Sequence, residues 1–398
     1  MTKIYTLFLL LIGFISNAQV SIQGKIVERG SNEPVISASI GVKSAATGTI
    51  SNEEGSFQLS VPQSATIVIS CLGYQTIEIK VEDFSDAIET IFLEQSEEKL
   101  EEVLVTKVPL HEMLSEAIFT STARFNKPIL LHTYYREFAK SNGKYSRFSD
   151  GMLDYHVGGN TKKTTTDLVL VQNRSFNLAT PEEQDDDLGS ILSVQSAVSS
   201  NYSMSYLYKN IIESKNFKNY DFQLKSKKEG ERELFIISFE PKTEIEKSLY
   251  EGTVTFDRET KLIQDITINS APSHLQYAKT INLLIAKISF LDARIKIAYK
   301  MVGNNYVLSY NKRYWKIKIF NKKNSELLES YSDLLVVDFE KEQPYDKKAR
   351  FKGRNLHDAP TKYKRAYWKE NNAIVLTADQ EKIISDLEKS SADLNKAN

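Results

Sequence analysis

The 398-residue sequence contains a single cysteine, Cys71, and this scarcity excludes an internal disulfide framework. The fold must therefore be held together by burial of apolar side chains, for which the chain is long enough. Cys71 lies in the strand-like run 66–72, where the expected role is that of a small buried hydrophobe. A reactive thiol or an intermolecular disulfide is the functional alternative.

The sequence also lacks an excess of charge of either sign. Its 51 Lys and Arg residues balance 52 Asp and Glu residues, whereas a nucleic-acid-binding protein normally carries a basic excess. We therefore expect no nucleic-acid partner. The composition is that of an ordinary globular chain, and the length suggests two or three domains.

Long apolar runs are missing except at the beginning of the chain. Lys3, the apolar run Leu7–Ile15 and the small residues Ser16–Ala18 together form the pattern of a secretory signal peptide over residues 1–18. A transmembrane anchor, the alternative, needs about 20 apolar residues. No cysteine stands just after the signal peptide, where a lipoprotein would carry its lipid. We expect an exported chain with neither a transmembrane segment nor a lipid anchor after cleavage.

Familiar catalytic and metal-binding motifs are absent as well. The five histidines are widely scattered: His111, His132, His156, His274 and His357. None belongs to a zinc-peptidase signature, and the sequence contains no phosphate loop, dinucleotide fingerprint or nucleophile elbow. The run Asp185–Asp187 is a weak calcium candidate, because three consecutive side chains point in different directions. We predict no catalytic residue, no cofactor and no metal.

Residues 19–106 alternate apolar and polar residues in short runs separated by turn signals. Ser56–Val61 is one such run, and it follows the polar turn Asn52–Gly55. Strands at intervals of about ten residues with turns between them are typical of an antiparallel β-sandwich.

The same residues resemble the carboxypeptidase regulatory-like domain, which has a transthyretin-like sandwich. The motifs that carry the resemblance occur in the order of the family: Gln23–Ile26, Glu33–Val35, Ala38–Ile40, Thr47–Thr49, Glu54–Phe57, Leu72–Tyr74 and Leu100–Thr106. They are similar to the module that precedes the plug in TonB-dependent outer-membrane receptors. Ser51-Asn52 replaces a Thr-Asp pair that is common there, and Cys71 stands where Tyr or Phe is frequent.

The resemblance implies neither a peptidase nor a receptor. In the peptidases the zinc belongs to a separate catalytic domain. A barrel of 22 strands needs about ten residues per strand before loops are counted, and only about 290 residues follow Thr106. The resemblance does imply a Gram-negative cell envelope, so we expect a periplasmic protein or one that is peripheral at the outer membrane.

From residue 107 the pattern changes to a β-rich domain that we expect to end at residue 376. An amphipathic helix at about 109–125 opens it, because apolar residues recur there at helical spacing. These are Leu110, Met113, Leu114, Ala117 and Ile118. Tyr250–Phe256 and Leu262–Ile268 form a β-hairpin, and further alternating runs predict a large, curved antiparallel sheet. Its hairpins are similar to the half-barrel of periplasmic lipoprotein carriers.

Residues 377–398 are expected to form a C-terminal helix and a polar tail, since Thr377 and Gln380 stand at the spacing of a capping box. The predicted fold class is therefore mainly β, or β-rich α+β. It consists of a transthyretin-like sandwich followed by a helix and the large sheet. The sequence does not indicate the oligomeric state.

Residues 341–370 hold ten Lys or Arg residues against four Asp or Glu residues, with aromatic residues between them. Tyr363, Tyr367 and Trp368 are the candidate ligand or surface contacts, for an anionic headgroup or an acidic glycan. The alternative is a solvated connection whose aromatic rings fold back on the core. The lack of an amphipathic period favours this alternative.

These observations favour a non-catalytic envelope protein whose β-rich domain binds one of three kinds of partner: a protein such as an outer-membrane protein, a lipid or a glycan. Two other functions stay open. One is a hydrolase with a pair of carboxylates in residues 107–376, which has no sequence signature. The other is an accessory component of an outer-membrane receptor assembly.

Overall fold

The computed structural model describes residues 19–43, 45–71, 73–84, 88–96, 104–160, 163–177, 193–229, 232–282, 287–320, 325–362 and 373–385. The expected signal peptide, the run Asp185–Asp187 and the polar tail lie outside these residues. The described chain divides into two compact units. The first contains residues 19–95 and 373–379, and the second contains residues 96–362 and 380–385.

The first unit is built from short strands. Its described strands are β1 (Gln19–Glu28), β2 (Ser39–Val42), β3 (Gly48–Ile50), β4 (Ser56–Pro62), β5 (Thr66–Ser70), β6 (Ile77–Lys80) and β7 (Glu89–Leu93). A 3-10 turn, Val81–Asp83, lies between β6 and β7.

These strands form two sheets around one apolar core, which confirms the predicted sandwich. One sheet has the order β4-β1-β7 and the other the order β3-β2-β5-β6. Phe57, Leu59 and Val61 alternate along β4 and are buried in the core, as the period of two requires. Gly55 has a φ of +78°, and a Cβ there would lie 2.3 Å from the carbonyl oxygen of Ile26. Only glycine fits this turn.

Residues 373–379 join the first unit through side chains of the turn after β3. Asn52 Oδ1 accepts from the backbone N–H groups of Glu54 and Ser56, both at 2.9 Å, and its Nδ2 faces the backbone of Val375 and Leu376. The β-rich domain expected from the sequence ends at residue 376 and so includes residues 373–376, which group with the first unit in the structure. No local pattern in them reveals this attachment.

The second unit contains two regular helices among its described residues, α1 (Leu110–Arg124) and α2 (Ser196–Ser203). A further helical stretch follows α2, with one α-helical turn at Ser205–Leu207 and a π-helical turn at Tyr208–Ile212. Shorter 3-10 turns occur at Phe217–Asn219, Pro272–Tyr277, Lys347–Ala349 and Leu356–Asp358. Residues 378–385 are also helical.

The strands of this unit are much longer. They are β8 (Ile129–Ser141), β9 (Lys144–Gly159), β10 (Thr164–Asn177), β11 (Tyr220–Glu229), β12 (Arg232–Pro241), β13 (Tyr250–Asp257), β14 (Ile263–Ser270), β15 (Thr280–Asn282), β16 (Lys287–Val302), β17 (Asn305–Phe320) and β18 (Ser325–Lys341).

The described strands of this unit pair into one antiparallel sheet. Its order is β10-β9-β8-β18-β17-β16-β14-β13-β12-β11, with β15 paired to β16. The predicted hairpin is β13 and β14, in which Val254 lies opposite Ile266. Sequential strands are neighbours almost everywhere, and the main exception is β8 beside β18, where Arg136 lies opposite Asp333.

One face of this sheet is apolar and is covered by the two helices. Leu114, Ala117 and Ile118 of α1 are buried in a core shared with Tyr135 of β8 and Val254 of β13. The helix that the apolar spacing predicted is therefore confirmed, and its stripe faces the sheet. From α2, Ala197, Val198 and Tyr202 enter the same core.

Candidate functional site

The three residues selected from the sequence, Tyr363, Tyr367 and Trp368, lie outside the described residues. The nearby Tyr345 is described, and its hydroxyl donates to Asp167 on β10 while its ring stacks on His156 at 3.6 Å. Arg350 Nη1 lies 2.8 Å from the same carboxylate. These parts of the basic segment are thus engaged with strands β9 and β10.

A cavity of about 770 Å³ opens between the two helices of the second unit. This volume falls within the range of about 300–1,000 Å³ that is usual for ligand sites. From α1 it is lined by Ser115, Ile118, Phe119 and Thr122. We call this cavity the hydroxyl pocket, because eight of its twelve lining side chains carry a hydroxyl group.

The α2 wall of the hydroxyl pocket is a face of serines. Ser196, Ser199, Ser200 and Ser203 recur at i, i+3, i+4 and i+7 and so share one side of the helix. The last three line the pocket. The opposite side of α2 carries the buried residues that enter the core. The helix is thus amphipathic in an unusual sense, with hydroxyls where charged residues are common.

The chain breaks its helical course at the edge of the pocket. Met204, which is buried, has φ +47° and ψ +25°, a left-handed conformation that is uncommon for a residue with a side chain. This break directs both Ser203 and Ser205 to the pocket, and the π-helical turn that follows adds Tyr208 and Lys209. Both features are enriched at functional sites.

Several of the hydroxyl groups already use their protons. Ser200 donates to the Ser196 carbonyl oxygen at 2.6 Å, and Ser203 donates to the Ser200 carbonyl oxygen at 3.0 Å. Thr122 donates to the Ile118 carbonyl oxygen at 2.9 Å. A hydroxyl that donates in this way keeps oxygen lone pairs for another donor. These three side chains therefore offer acceptors to a ligand.

The third wall of the pocket is positively charged. Lys163 and Thr164 at the start of β10 line it. Lys127 lies behind them and donates to the Asn160 carbonyl oxygen at 3.0 Å and to Thr164 Oγ1 at 3.2 Å. Burial lowers the pKa of the Lys127 ammonium. Because Thr164 accepts from an ammonium group, its own O–H is directed elsewhere as a donor.

Two aromatic rings at the pocket are unusually exposed for their size. Phe119 on α1 is 72% exposed and Tyr208 is 44% exposed. Single exposed apolar residues are normal on a protein surface. Two rings that line the same cavity are a more specific feature, because an exposed ring offers an apolar surface for a ligand to cover.

The pocket lining contains no Asp, Glu, His or Cys among the described residues. Two Arg–Asp pairs of the unit are buried within the sheet instead. Arg174 contacts Asp150 through two bonds of 2.7 and 2.9 Å, and Arg136 Nε lies 2.7 Å from Asp333 Oδ2. Burial raises the pKa of Asp150, although Arg174 opposes the shift.

The pKa of Asp333 is shifted in the opposite direction to that of Asp150. Burial would raise the pKa of its carboxyl group, but Arg136, Lys312 and the Tyr310 hydroxyl together hold that pKa below its ordinary value. The four charged residues Arg174, Asp150, Arg136 and Asp333 lie in one row across β10, β9, β8 and β18. We interpret this row of charged residues as an interaction that stabilises the pairing of these four strands.

The five histidines do not converge. His132 Nδ1 lies 2.7 Å from Asp154 Oδ1, and His156 Nδ1 lies 2.9 Å from Glu342 Oε1. His111 stacks on Phe217 at 3.9 Å. Within the described ranges, no group of three or more His, Cys, Asp or Glu side chains is arranged to hold a metal ion.

Sequence reasoning missed the hydroxyl pocket. Ser190–Ser205 stands out only as a serine-rich run, and serine is common in loops. The helical recurrence of Ser196, Ser199, Ser200 and Ser203 was a usable signal, since the intervening Ala197, Val198 and Tyr202 are apolar. Nothing local indicates that this face meets α1 and the start of β10.

Comparison with known proteins identifies the first unit. Residues 22–105 match the family model of the CarboxypepD_reg-like domain. The chain carries this domain. Over 87 residues it is 41% identical to the TonB-dependent receptor SusC of Bacteroides thetaiotaomicron, a match that covers 22% of this chain and 8% of the receptor. The chain thus spans less than a tenth of that curated relative.

Solved structures resemble the chain only distantly. A DUF1329 family protein from Desulfovibrio piger is 10% identical, with a TM-score of 0.23 over 58% of this chain and 89% of that chain. A LolA superfamily protein from Nitrosomonas europaea is 10% identical, with a TM-score of 0.21 over 60% and 97%. TM-scores this low establish no shared fold. Among the described residues, no helix has the length and hydropathy to span a membrane.

Proposed function

We propose that this chain is a non-catalytic binding protein of the Gram-negative cell envelope and that its second unit holds a small polar ligand in the hydroxyl pocket. The observation that carries the proposal is the pocket itself. It combines a ligand-sized volume, eight hydroxyl groups, two ammonium groups and two exposed rings. Convergent polar groups in a cavity are what fixes the orientation of a small ligand.

Binding is favoured over hydrolysis at this position by the chemistry of the lining. Glycoside hydrolysis uses two carboxyl groups on either side of the scissile bond, and the described lining offers none. The envelope location is supported by the first unit, whose sequence is similar to a segment of an outer-membrane receptor.

A thermal-shift screen tests the pocket. The purified chain is challenged with a library of polar small molecules that includes saccharides, amino sugars, nucleosides and short peptides. The variant Ser203→Leu fills the pocket, and Thr165→Leu adds the same side chain at an exposed neighbour of Thr164. We expect at least one compound to raise the Tm of the wild type and of Thr165→Leu but not of Ser203→Leu. A library without such a compound would refute the proposal.

The first unit supports a second proposal, contact with an outer-membrane protein. Its basis is the 41% identity to part of a TonB-dependent receptor. Cross-linking of the full chain in its own envelope, followed by mass spectrometry, tests it. Links from residues 19–95 to an outer-membrane protein are expected. Links confined to soluble periplasmic proteins would contradict it.

A further inference from the structure

The charge of the hydroxyl pocket narrows the class of ligand. Lys163 and Lys209 come from different elements, the start of β10 and the π-helical turn, and both are exposed. They line the same cavity, and the described lining carries no acidic side chain. Lys127 adds a third positive charge behind Thr164. An ammonium group recognises an anionic group as a point charge with several donors.

The hydroxyl groups of the pocket narrow the class of ligand further. Thr122, Ser200 and Ser203 present acceptors, because their protons are donated to helix carbonyl oxygens. Thr164 presents a donor, because its oxygen accepts from Lys127. A ligand that fits must donate and accept at several points. The hydroxyl groups of a saccharide do both.

The two exposed aromatic rings of the pocket also fit a saccharide ligand. Phe119 and Tyr208 line the cavity from α1 and from the π-helical turn. The C–H face of a sugar ring is apolar, whereas its edge carries the hydroxyl groups. An exposed ring can cover the apolar face while the hydroxyl groups meet the serine face of α2.

We propose that the hydroxyl pocket binds a saccharide that carries a carboxylate, with the carboxylate at Lys163 and Lys209 and the apolar ring face on Phe119 and Tyr208. This inference rests on the proposed function, since it names the ligand class of the same pocket. A free acidic oligosaccharide and the sugar portion of an acidic glycolipid share this chemistry.

Isothermal titration of the full chain tests the ligand class. The probes are trisaccharides of galacturonic acid, glucuronic acid and N-acetylneuraminic acid, each beside its neutral counterpart in which the carboxyl group is reduced to an alcohol. We expect at least one acidic probe to bind about tenfold more tightly than its counterpart, which corresponds to about one charge-assisted hydrogen bond. Added salt should weaken the acidic probe selectively.

Two variants locate the interaction. In Lys163→Gln/Lys209→Gln the acidic and neutral probes should bind equally, since the amide side chains keep hydrogen bonding without charge. In Phe119→Ala both probes should weaken together. Lys228→Gln, an exposed lysine on β11, is the control and should leave affinities unchanged. Vesicles bearing an acidic glycolipid, compared with the free trisaccharide, distinguish the two sources.

The outcomes separate this inference from the proposed function. Equal affinity for acidic and neutral probes, or an acid preference that survives in Lys163→Gln/Lys209→Gln, overturns the acidic class and leaves a polar-ligand pocket standing. If no saccharide binds but the thermal-shift screen finds another ligand that Ser203→Leu no longer binds, the saccharide class is overturned and the proposed function stands. Failure of every compound in both experiments overturns both.

Discussion

The side-chain nitrogen of Asn52 lies 3.2 Å from the carbonyl oxygen of Val375, and 3.3 Å from that of Leu376. Asn52 is buried, and it stands where the resembling family often has Asp. An aspartate would still accept from the amides of Glu54 and Ser56, but it has no N–H to donate. The departure from the family pattern therefore has a physical role, which is to hold residues 373–379 on the sandwich.

Asn52→Asp should release this segment while leaving the sandwich folded. The new carboxylate would face two carbonyl oxygens, and a buried polar group left unpaired costs about 1–3 kcal/mol. Hydrogen-exchange mass spectrometry should show faster exchange in peptides that cover residues 373–379. Asn32→Asp makes the same change at an exposed turn of the same unit and should have no such effect. Unchanged protection in Asn52→Asp would contradict this role.

Removing Arg136 should destabilise the second unit strongly. Its side chain and that of Asp333 are 3% and 9% exposed, so Arg136→Met would leave the buried Asp333 carboxylate without its guanidinium partner, although the Tyr310 hydroxyl still donates to it. Loss of one member of a buried ion pair costs about 3–5 kcal/mol. Urea unfolding followed by the fluorescence of Trp315 on β17 measures the change.

The matched control for this ion pair is Arg232→Met. Arg232 bonds Glu229 at 2.6 Å but is 58% exposed, and exposed pairs contribute little. The double variant Arg136→Met/Asp333→Leu should recover part of the loss, since both charges are then absent. If Arg136→Met is no more destabilising than Arg232→Met, the row of buried charges does not stabilise the pairing of the strands.

The contact between Arg136 and Asp333 also marks the limit of what the sequence reveals. Alternation along β4 and the apolar stripe of α1 are local patterns, so they predicted a sandwich strand and a helix correctly. The pairing of β8 with β18 joins residues 197 positions apart. No local pattern specifies which distant strand closes such a sheet, and composition gives only the β-rich class.

The hydroxyl pocket was unpredictable for a similar reason. α2 is stable as a helix because Ala197, Val198 and Tyr202 enter the core, and serine contributes little helix preference of its own. The cavity then depends on three segments around residues 115, 163 and 203 that meet only after folding. The sequence supplied the serine face but not the wall opposite it.

Gly252→Ala should destabilise the hairpin of β13 and β14. A Cβ at Gly252 on β13 would lie 1.9 Å from the carbonyl oxygen of Thr267 on the neighbouring strand, so the backbone must shift. Close packing makes such overcrowding cost about 1–3 kcal/mol. Gly158→Ala on β9 is the comparison, since its new Cβ would approach only the Thr165 hydroxyl, at 3.4 Å. Similar Tm values for the two variants would argue against the tight approach of β13 and β14.

His132 should make the second unit more stable under mildly acidic conditions. The hydrogen bond from His132 to Asp154, at 2.7 Å, raises the pKa of the imidazole despite partial burial, and Glu340 at 3.4 Å contributes in the same direction. A raised folded-state pKa means that the protonated form is preferred in the folded protein. Its stabilisation is complete below the ordinary value of about 6.5 and disappears as the pH rises through the folded value.

The measurement is the Tm of the wild type minus that of His132→Gln, taken from pH 5.5 to pH 8.5. This difference should be largest at pH 5.5 and should shrink toward pH 8.5, because the neutral imidazole loses its charge interaction with Asp154 and Glu340. Repeating the substitution in an Asp154→Asn background isolates the pair, since most of the pH dependence should then vanish. A difference that stays constant with pH would show equal pKa values of His132 in the folded and unfolded states, and a difference that grows toward pH 8.5 would show a folded-state pKa below the unfolded one. Either result would contradict stabilisation by the charged form of His132 beside Asp154.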